Sequence, residues 1–145
     1  MVGQPLNMMK LEFTSQSANV GFARTAVALF ASQMDFTLDE IDEIKIAVSE
    51  AVSNAIIHGQ GNGTGVVRLE TTLYGDFLTI TVSDDGPGIA DIEWAMQPGS
   101  TTESDRMGLG FVFMREYMDE IKVDSVPSAG TTVHMRKNLV RDVQG

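Results

Sequence analysis

Glu50 and Asn54 stand four residues apart in Glu-Ala-Val-Ser-Asn-Ala-Ile-Ile-His-Gly, residues 50–59. On a helix that spacing stacks a carboxylate and a carboxamide on one face, one turn apart. Their neighbours are mostly Ala, Val and Ile, so the helix faces a core, where polar groups without partners are costly. A carboxylate so placed can take the proton of an attacking hydroxyl. An amide oxygen is a hard ligand suited to Mg2+, an ion that also keeps waters and takes phosphate oxygens. For either residue alone, a hydrogen-bonded core polar group is the simpler account.

Two glycine-bearing segments change that balance. Asp84-Asp85-Gly86-Pro87-Gly88-Ile89 follows a strand pattern directly. Asp84 at a strand end can accept a hydrogen bond from an exocyclic amine, and Gly86 and Gly88 let a planar ring approach the backbone. By itself such a segment is as often a plain turn. Arg106-Met107-Gly108-Leu109-Gly110 precedes a helical pattern, so its backbone N–H groups are expected to open that helix as a phosphate cradle. Between them, Gln97-Pro98-Gly99-Ser100-Thr101-Thr102-Glu103-Ser104-Asp105 has the polar, Gly/Pro-bearing character of a lid. The glycines from Gly59 to Gly65 follow a helix and precede a strand, the reverse of a dinucleotide fingerprint, and no Gly-Lys-Ser/Thr P-loop ending exists. That stretch reads as a connector. Together the Glu50–Asn54 pair and the two later segments describe a nucleotide site.

The elements that must position these residues are legible from periodicity. Lys10 to Phe13 alternates as an edge strand. Val20, Ala23, Val27, Phe30 and Met34 recur at helical spacing from Asn19 to about Gln33. Thr37 and Glu40 form a capping box that opens a long helix with Ile41, Ile44, Val48, Ala51, Val52 and Ala55 as its buried stripe, ended by Gly59. Val66–Tyr74 and Phe77–Ser83 are predicted as antiparallel strands joined at Gly75-Asp76. A loop from Asp84 to Arg106, with one helical turn near 91–96, leads to a helix from Gly108. Two strands, Ile121–Asp124 and Thr131–Arg136, flank Pro127-Ser128-Ala129-Gly130. Helices that interrupt hairpins predict a two-layer α/β sandwich: a mixed, mainly antiparallel sheet covered by helices on one face.

The chain of 145 residues fits one domain, residues 1–145, in which residues 1–7 read as a flexible extension. A net charge of −10 argues against direct nucleic-acid binding, which needs clustered Lys and Arg. No apolar run is long enough for a membrane span and no signal-peptide layout is visible. The absence of cysteine excludes disulfides and thiolate metal sites, and a cytoplasmic location is expected. An acidic chain that binds an anionic nucleotide must offset repulsion locally with N–H groups, a cation or a placed Arg.

The ordered motifs resemble the GHKL superfamily of histidine-kinase, gyrase-type and chaperone ATPases. Glu50-x-x-x-Asn54 is similar to its N box, Asp84-x-Gly86-x-Gly88 and Gly108-x-Gly110 to its glycine boxes, and Gly130-Thr131 to its late Gly-Thr. Within it, residues 21–24, 49–59 and 107–111 resemble the anti-sigma F factors of spore-forming bacteria, and the likeness runs from about Met8 to Leu139. That family consists of serine kinases that bind and inhibit an RNA-polymerase sigma factor. The resemblance implies Glu50 as general base, Asn54 as Mg2+ ligand, and Asp84 at the adenine amine with Thr131 assisting through water. It implies Gly86, Gly88, Gly108 and Gly110 around ATP or ADP, Arg106 at the terminal phosphate, and Arg24 against the sigma factor.

The function so implied is a Mg2+- and ATP-dependent protein-serine kinase and anti-sigma factor. It would phosphorylate a serine of an anti-anti-sigma factor and work as a homodimer. A kinase of a general-stress sigma factor would share the site motifs. A detached histidine-kinase domain lacks a suitable acceptor, since only His58 and His134 are present. A purely nucleotide-sensing module would have no use for a base at Glu50.

Overall fold

In a computed structural model that describes residues 3–58, 65–86, 103–126 and 130–139, a five-stranded sheet carries helices on one face. The strands are β1 (Asn7–Thr14), β2 (Val66–Leu73), β3 (Phe77–Asp84), β4 (Glu120–Val126) and β5 (Gly130–Asn138), and the helices α1 (Asn19–Ala31), α2 (Leu38–His58) and α3 (Glu103–Tyr117). Spatial order is β1-β2-β3-β5-β4. All four pairings among the described residues are antiparallel, so the mixed sheet expected from the element order is corrected to an antiparallel one. The physical reason is that α3 leads into β4 at the edge of the sheet, one strand position away from β3, and β5 then returns by hairpin to fill the place between them.

The layer arrangement follows from the period-two pattern of the strands. Val67, Leu69, Thr71 and Leu73 of β2, Leu78, Ile80 and Val82 of β3, and Val133 and Met135 of β5 point inward. Against them lie Ala23, Val27 and Ala31 of α1, Ile44, Val48, Ala51, Val52 and Ala55 of α2, and Phe111 and Met114 of α3. Each fully buried Val, Leu or Ile contributes on the order of 1.5–3 kcal/mol, which far exceeds what helix propensity supplies. Thr71, wholly buried, donates its hydroxyl to Thr79 O at 2.9 Å, so its burial leaves no unmet donor.

The expected capping box is formed. Thr37 N–H donates to Glu40 Oε1 at 2.8 Å, and Glu40 N–H donates to Thr37 Oγ1 at 3.1 Å. The β2–β3 hairpin closes with Tyr74 N–H on Phe77 O at 2.9 Å. Pairing begins earlier than the alternation suggested: β1 starts at Asn7, and Leu6 N–H already donates to Leu73 O at 2.7 Å. Residues 6 and 7 are therefore part of the sheet rather than of an extension. The larger difference lies at α3, which starts at Glu103 and not at Gly108. Glycine weakens a helix by only about 1 kcal/mol relative to Ala, and burial of Phe111, Met114 and Met118 outweighs two glycines.

One inward position on β5 is polar. Lys137, 8% exposed, donates to Glu43 Oε1 at 2.9 Å and to Tyr117 O at 2.6 Å, tying α2 and the end of α3 to the sheet. Replacing it by Met leaves the Tyr117 carbonyl and Glu43 without this donor. Lys137→Met is expected to lose about 2 kcal/mol of stability, and Thr37→Ala about 1 kcal/mol. Urea denaturation of the two variants beside the parent chain measures both.

Candidate functional site

Helix α2 places Glu50 and Asn54 on one face, as their spacing requires. Asn54 is buried, 7% exposed, and its Nδ2 has no hydrogen-bond partner among the described residues. Which end of a carboxamide is oxygen is a matter of a half-turn, so the group can present either an acceptor or a donor. An unpaired amide in a nine-tenths buried position is costly in a core, a cost that a polar ligand would offset. The neighbour facing this pair is Gly110 of α3: a Cβ built there would stand 2.9 Å from Asn54 Nδ2 and 3.1 Å from Glu50 Oε2. Two segments far apart in sequence thus meet at one point.

Glu50 also lines a groove of about 560 Å3 between α1 and α2, with Arg24, Thr25, Asp42, Lys45, Ile46 and Ser49. Arg24 is exposed on α1. The groove places it and the Glu50 carboxylate along a single surface, a juxtaposition that sequence spacing alone does not reveal.

A second cluster forms where β3 ends and β5 begins. Asp84 is opposite Thr131 in the strand register. Its Oδ1 accepts the Gly86 N–H at 2.8 Å, and the Thr131 backbone N–H also reaches the carboxyl. Burial pushes the Asp84 carboxyl above its ordinary value. The Gly86 N–H pulls it back, the charge of Asp85 pushes it further up, and the Thr131 N–H opposes that. Thr131 Oγ1 lies 3.0 Å from Ser125 Oγ on β4, and Ser125 Oγ is 3.3 Å from Gly130 O. Gly130 has φ +104°, and a Cβ there would overlap the Asp84 carbonyl oxygen. Only glycine fits this crossing of the two strand ends.

The structure therefore gathers Glu50, Asn54 and Gly110 in one cluster and Asp84, Gly86 and Thr131 in another. Arg106 and Gly108 lie on the α3 backbone within the helix. The N–H groups of Gly108 and Gly110 are beyond the first turn, where a helix pairs them internally, so the expected N–H cradle does not begin at Gly108. Gly88, the 91–96 turn, the lid up to Thr102, Gly59 and Pro127–Ala129 lie outside the described residues. Ser125 and the conformational role of Gly130 escaped the sequence reading. The turn composition before Gly130 was a signal for the glycine, whereas Ser125 meets Thr131 only through the β4–β5 register.

Comparisons with known proteins bear on the fold and the family. The histidine kinase-like ATPase domain matches residues 13–137. The anti-sigma F factor of Thermoanaerobacter sp. (strain X514) is 51% identical over 94% of this chain and 96% of its own length. That of Bacillus licheniformis is 49% identical over 92% of this chain and 93% of its own. Among solved structures, the RsbU and RsbW domains of Rv1364c from Mycobacterium tuberculosis superpose with a TM-score of 0.68 at 18% identity, covering 95% of this chain and 34% of that one. The histidine kinase domain of a blue-light activated kinase from Erythrobacter litoralis EL346 gives 0.57 at 24% identity, over 88% of this chain and 62% of that one. The chain belongs to the histidine kinase-like ATPase family and, within it, to the anti-sigma F factor family. No helix among the described residues is long and apolar enough to cross a membrane.

The raised Asp84 value sets a pH dependence of stability. A carboxyl whose folded value lies above 3.8 binds its proton more tightly in the folded chain, so its contribution is full below 3.8 and is lost as pH rises through the raised value. Asp84→Asn cannot lose that increment. Its urea midpoint is expected to gain on the parent chain as pH is raised from below 3.8 through that window to neutrality. A midpoint that instead falls behind the parent over the same range would show the ionised carboxylate to be stabilising.

Proposed function

We propose that this chain is an anti-sigma factor that is also a Mg2+- and ATP-dependent protein-serine kinase, with a small anti-anti-sigma factor as its serine-bearing substrate. The observation that carries the reading is the buried Asn54 carboxamide, whose Nδ2 has no partner among the described residues, one helical turn from Glu50 and facing Gly110. A chain that only sequestered a sigma factor would have no need of that arrangement. Relatives named anti-sigma F factor, at 49–51% identity over nearly the full length, favour a sporulation sigma factor of the F type over a general-stress one.

In this reading Asp84 accepts the adenine exocyclic amine with the carboxylate oxygen left over from the Gly86 N–H. Thr131, its hydroxyl set by Ser125, holds a water at the ring. Gly86 and Gly88 leave room for the base, and Gly108, Gly110 and Arg106 border the phosphates. Asn54 is the chain's ligand for Mg2+, which supplies charge neutralisation on the transferred phosphoryl group when bound. The described residues hold no cluster of three or more His, Asp or Glu side chains around a metal position. A lone amide suits Mg2+, which takes the rest of its shell from phosphate and water.

Glu50 takes the proton of the substrate serine as its oxygen bonds to the γ-phosphorus and the bond to the bridging β–γ oxygen breaks, leaving ADP and phosphoserine. The Arg24–Glu50 groove is the surface on which a docked protein would touch both residues, so the sigma factor and its antagonist would compete for it. Phosphorylation releases the antagonist and leaves the kinase holding sigma. A second copy of this chain completes the assembly, and nothing in the reading requires nucleic acid or membrane.

Glu50→Gln is expected to bind Mg-ATP as the parent does while phosphoryl transfer to the serine falls about 10²–10⁴-fold. Transfer of 32P to the purified antagonist at the parent rate would remove Glu50 from the role of base. Asp84→Asn turns an NH2 towards the adenine amine and is expected to weaken ADP binding about 10- to 100-fold by calorimetry at neutral pH. Undiminished ADP affinity would place the base elsewhere.

A further inference from the structure

Gly110 is a glycine that the backbone does not ask for. It lies in the eighth position of α3, and among the described glycines only Gly130 has positive φ. Its N–H is beyond the first helical turn and is paired within the helix. Alanine would stabilise that position by about 0.8–1 kcal/mol on propensity alone. What alanine cannot do is fit without moving a neighbour. Its Cβ would stand 2.9 Å from Asn54 Nδ2, 3.1 Å from Glu50 Oε2 and 3.5 Å from Asn54 Oδ1.

The two side chains would answer that intrusion differently. Glu50 is only partly buried and borders the open α1–α2 groove, and its Oε2 is the farther of the two side-chain ends from the added Cβ. Asn54 is 7% exposed, with its amide nitrogen sealed from solvent, so its carboxamide has to leave its position. A methyl group at 110 therefore displaces mainly the amide.

We propose that Gly110 is a positioning residue, whose missing side chain is the clearance that fixes the Asn54 carboxamide for the metal-bound nucleotide. The inference rests on the kinase reading and adds to it. Gly110 acts through Asn54 rather than by holding phosphate with its own N–H. It also makes the seating of α3 on α2 a condition for a complete site, so the helix that follows the lid and the metal ligand are set together.

Binding of ADP, followed by calorimetry with Mg2+ and with EDTA, tests this on four chains: parent, Gly110→Ala, Asn54→Ala and the double variant. Gly110→Ala is expected to lose about 10- to 100-fold of the affinity that Mg2+ adds, the usual loss when a group supporting a metal ligand is changed. In EDTA it should stay within about twofold of the parent, a difference of about 0.4 kcal/mol. In the Asn54→Ala background the same substitution should cost nothing further, because the group it acts through is gone. Equal losses with and without Mg2+, a parent-like response, or losses that add in the double variant would each overturn the proposal. If Gly110→Ala alone does not fold, the double variant, whose truncated residue 54 leaves room for the methyl, is expected to fold; its failure would overturn the clearance argument. A parent chain that binds no nucleotide would overturn the kinase reading itself, and Asn54→Ala with the full Mg2+ gain would overturn only the ligand role of Asn54 and this inference with it.

Discussion

The constraint on which this structure depends is the burial of one stripe of α2. Ile44, Ala47, Val48, Ala51, Val52 and Ala55 are all within the core, and losing that contact would cost far more than any polar interaction in the chain returns. The stripe fixes the rotation of the helix about its axis. With rotation fixed, Glu50 and Asn54 have no freedom of direction: they emerge at the border of the stripe, where α3 packs. The Thr37–Glu40 box fixes where the helix starts, and the Lys137 bonds to Glu43 and Tyr117 O tie it to β5 and to the end of α3. The chemistry of the pair is thus positioned by apolar packing rather than by interactions of its own.

The second cluster is held by different physics. Asp84 and Thr131 face one another because β3 and β5 pair in one register, and a slip of one residue would turn both to the wrong side. Gly130 permits the strand ends to cross closely. The carboxyl of Asp84 is kept in a partly buried place at an electrostatic cost, which two backbone N–H groups offset in part. Such an expense is understandable where a ligand amine completes the hydrogen bonding.

The outer face of the sheet carries ion pairs of Arg68 with Glu12 and Asp85 and of Arg136 with Glu120, Arg136 also lying over the Phe77 ring, and a contact of His134 Nε2 with Asp124 at 3.2 Å. Exposed pairs of this kind contribute little each. They make the open face of a one-sided sheet polar and leave stability to the helix side.

Much of this could be read in the chain beforehand. The capping box, the stripe of α2, the β2–β3 hairpin and the late strand pair all have local causes, in spacing, caps and turns, and the structure contains each of them. The polarity of the Glu50–Asn54 face and the carboxylate at the end of β3 were equally local. Tertiary contact decided what local signals could not. Helix α3 begins at Glu103 because burial of Phe111, Met114 and Met118 overrides the helix-breaking tendency of Gly108 and Gly110. The sheet is antiparallel because α3 carries the chain past β5. Ser125 reaches Thr131, Arg24 shares a groove with Glu50, and Gly110 closes on Asn54, all between residues distant in sequence. Spacing along a chain determines which side chains share a face; only packing, which answers to volumes on both partners at once, determines what that face meets.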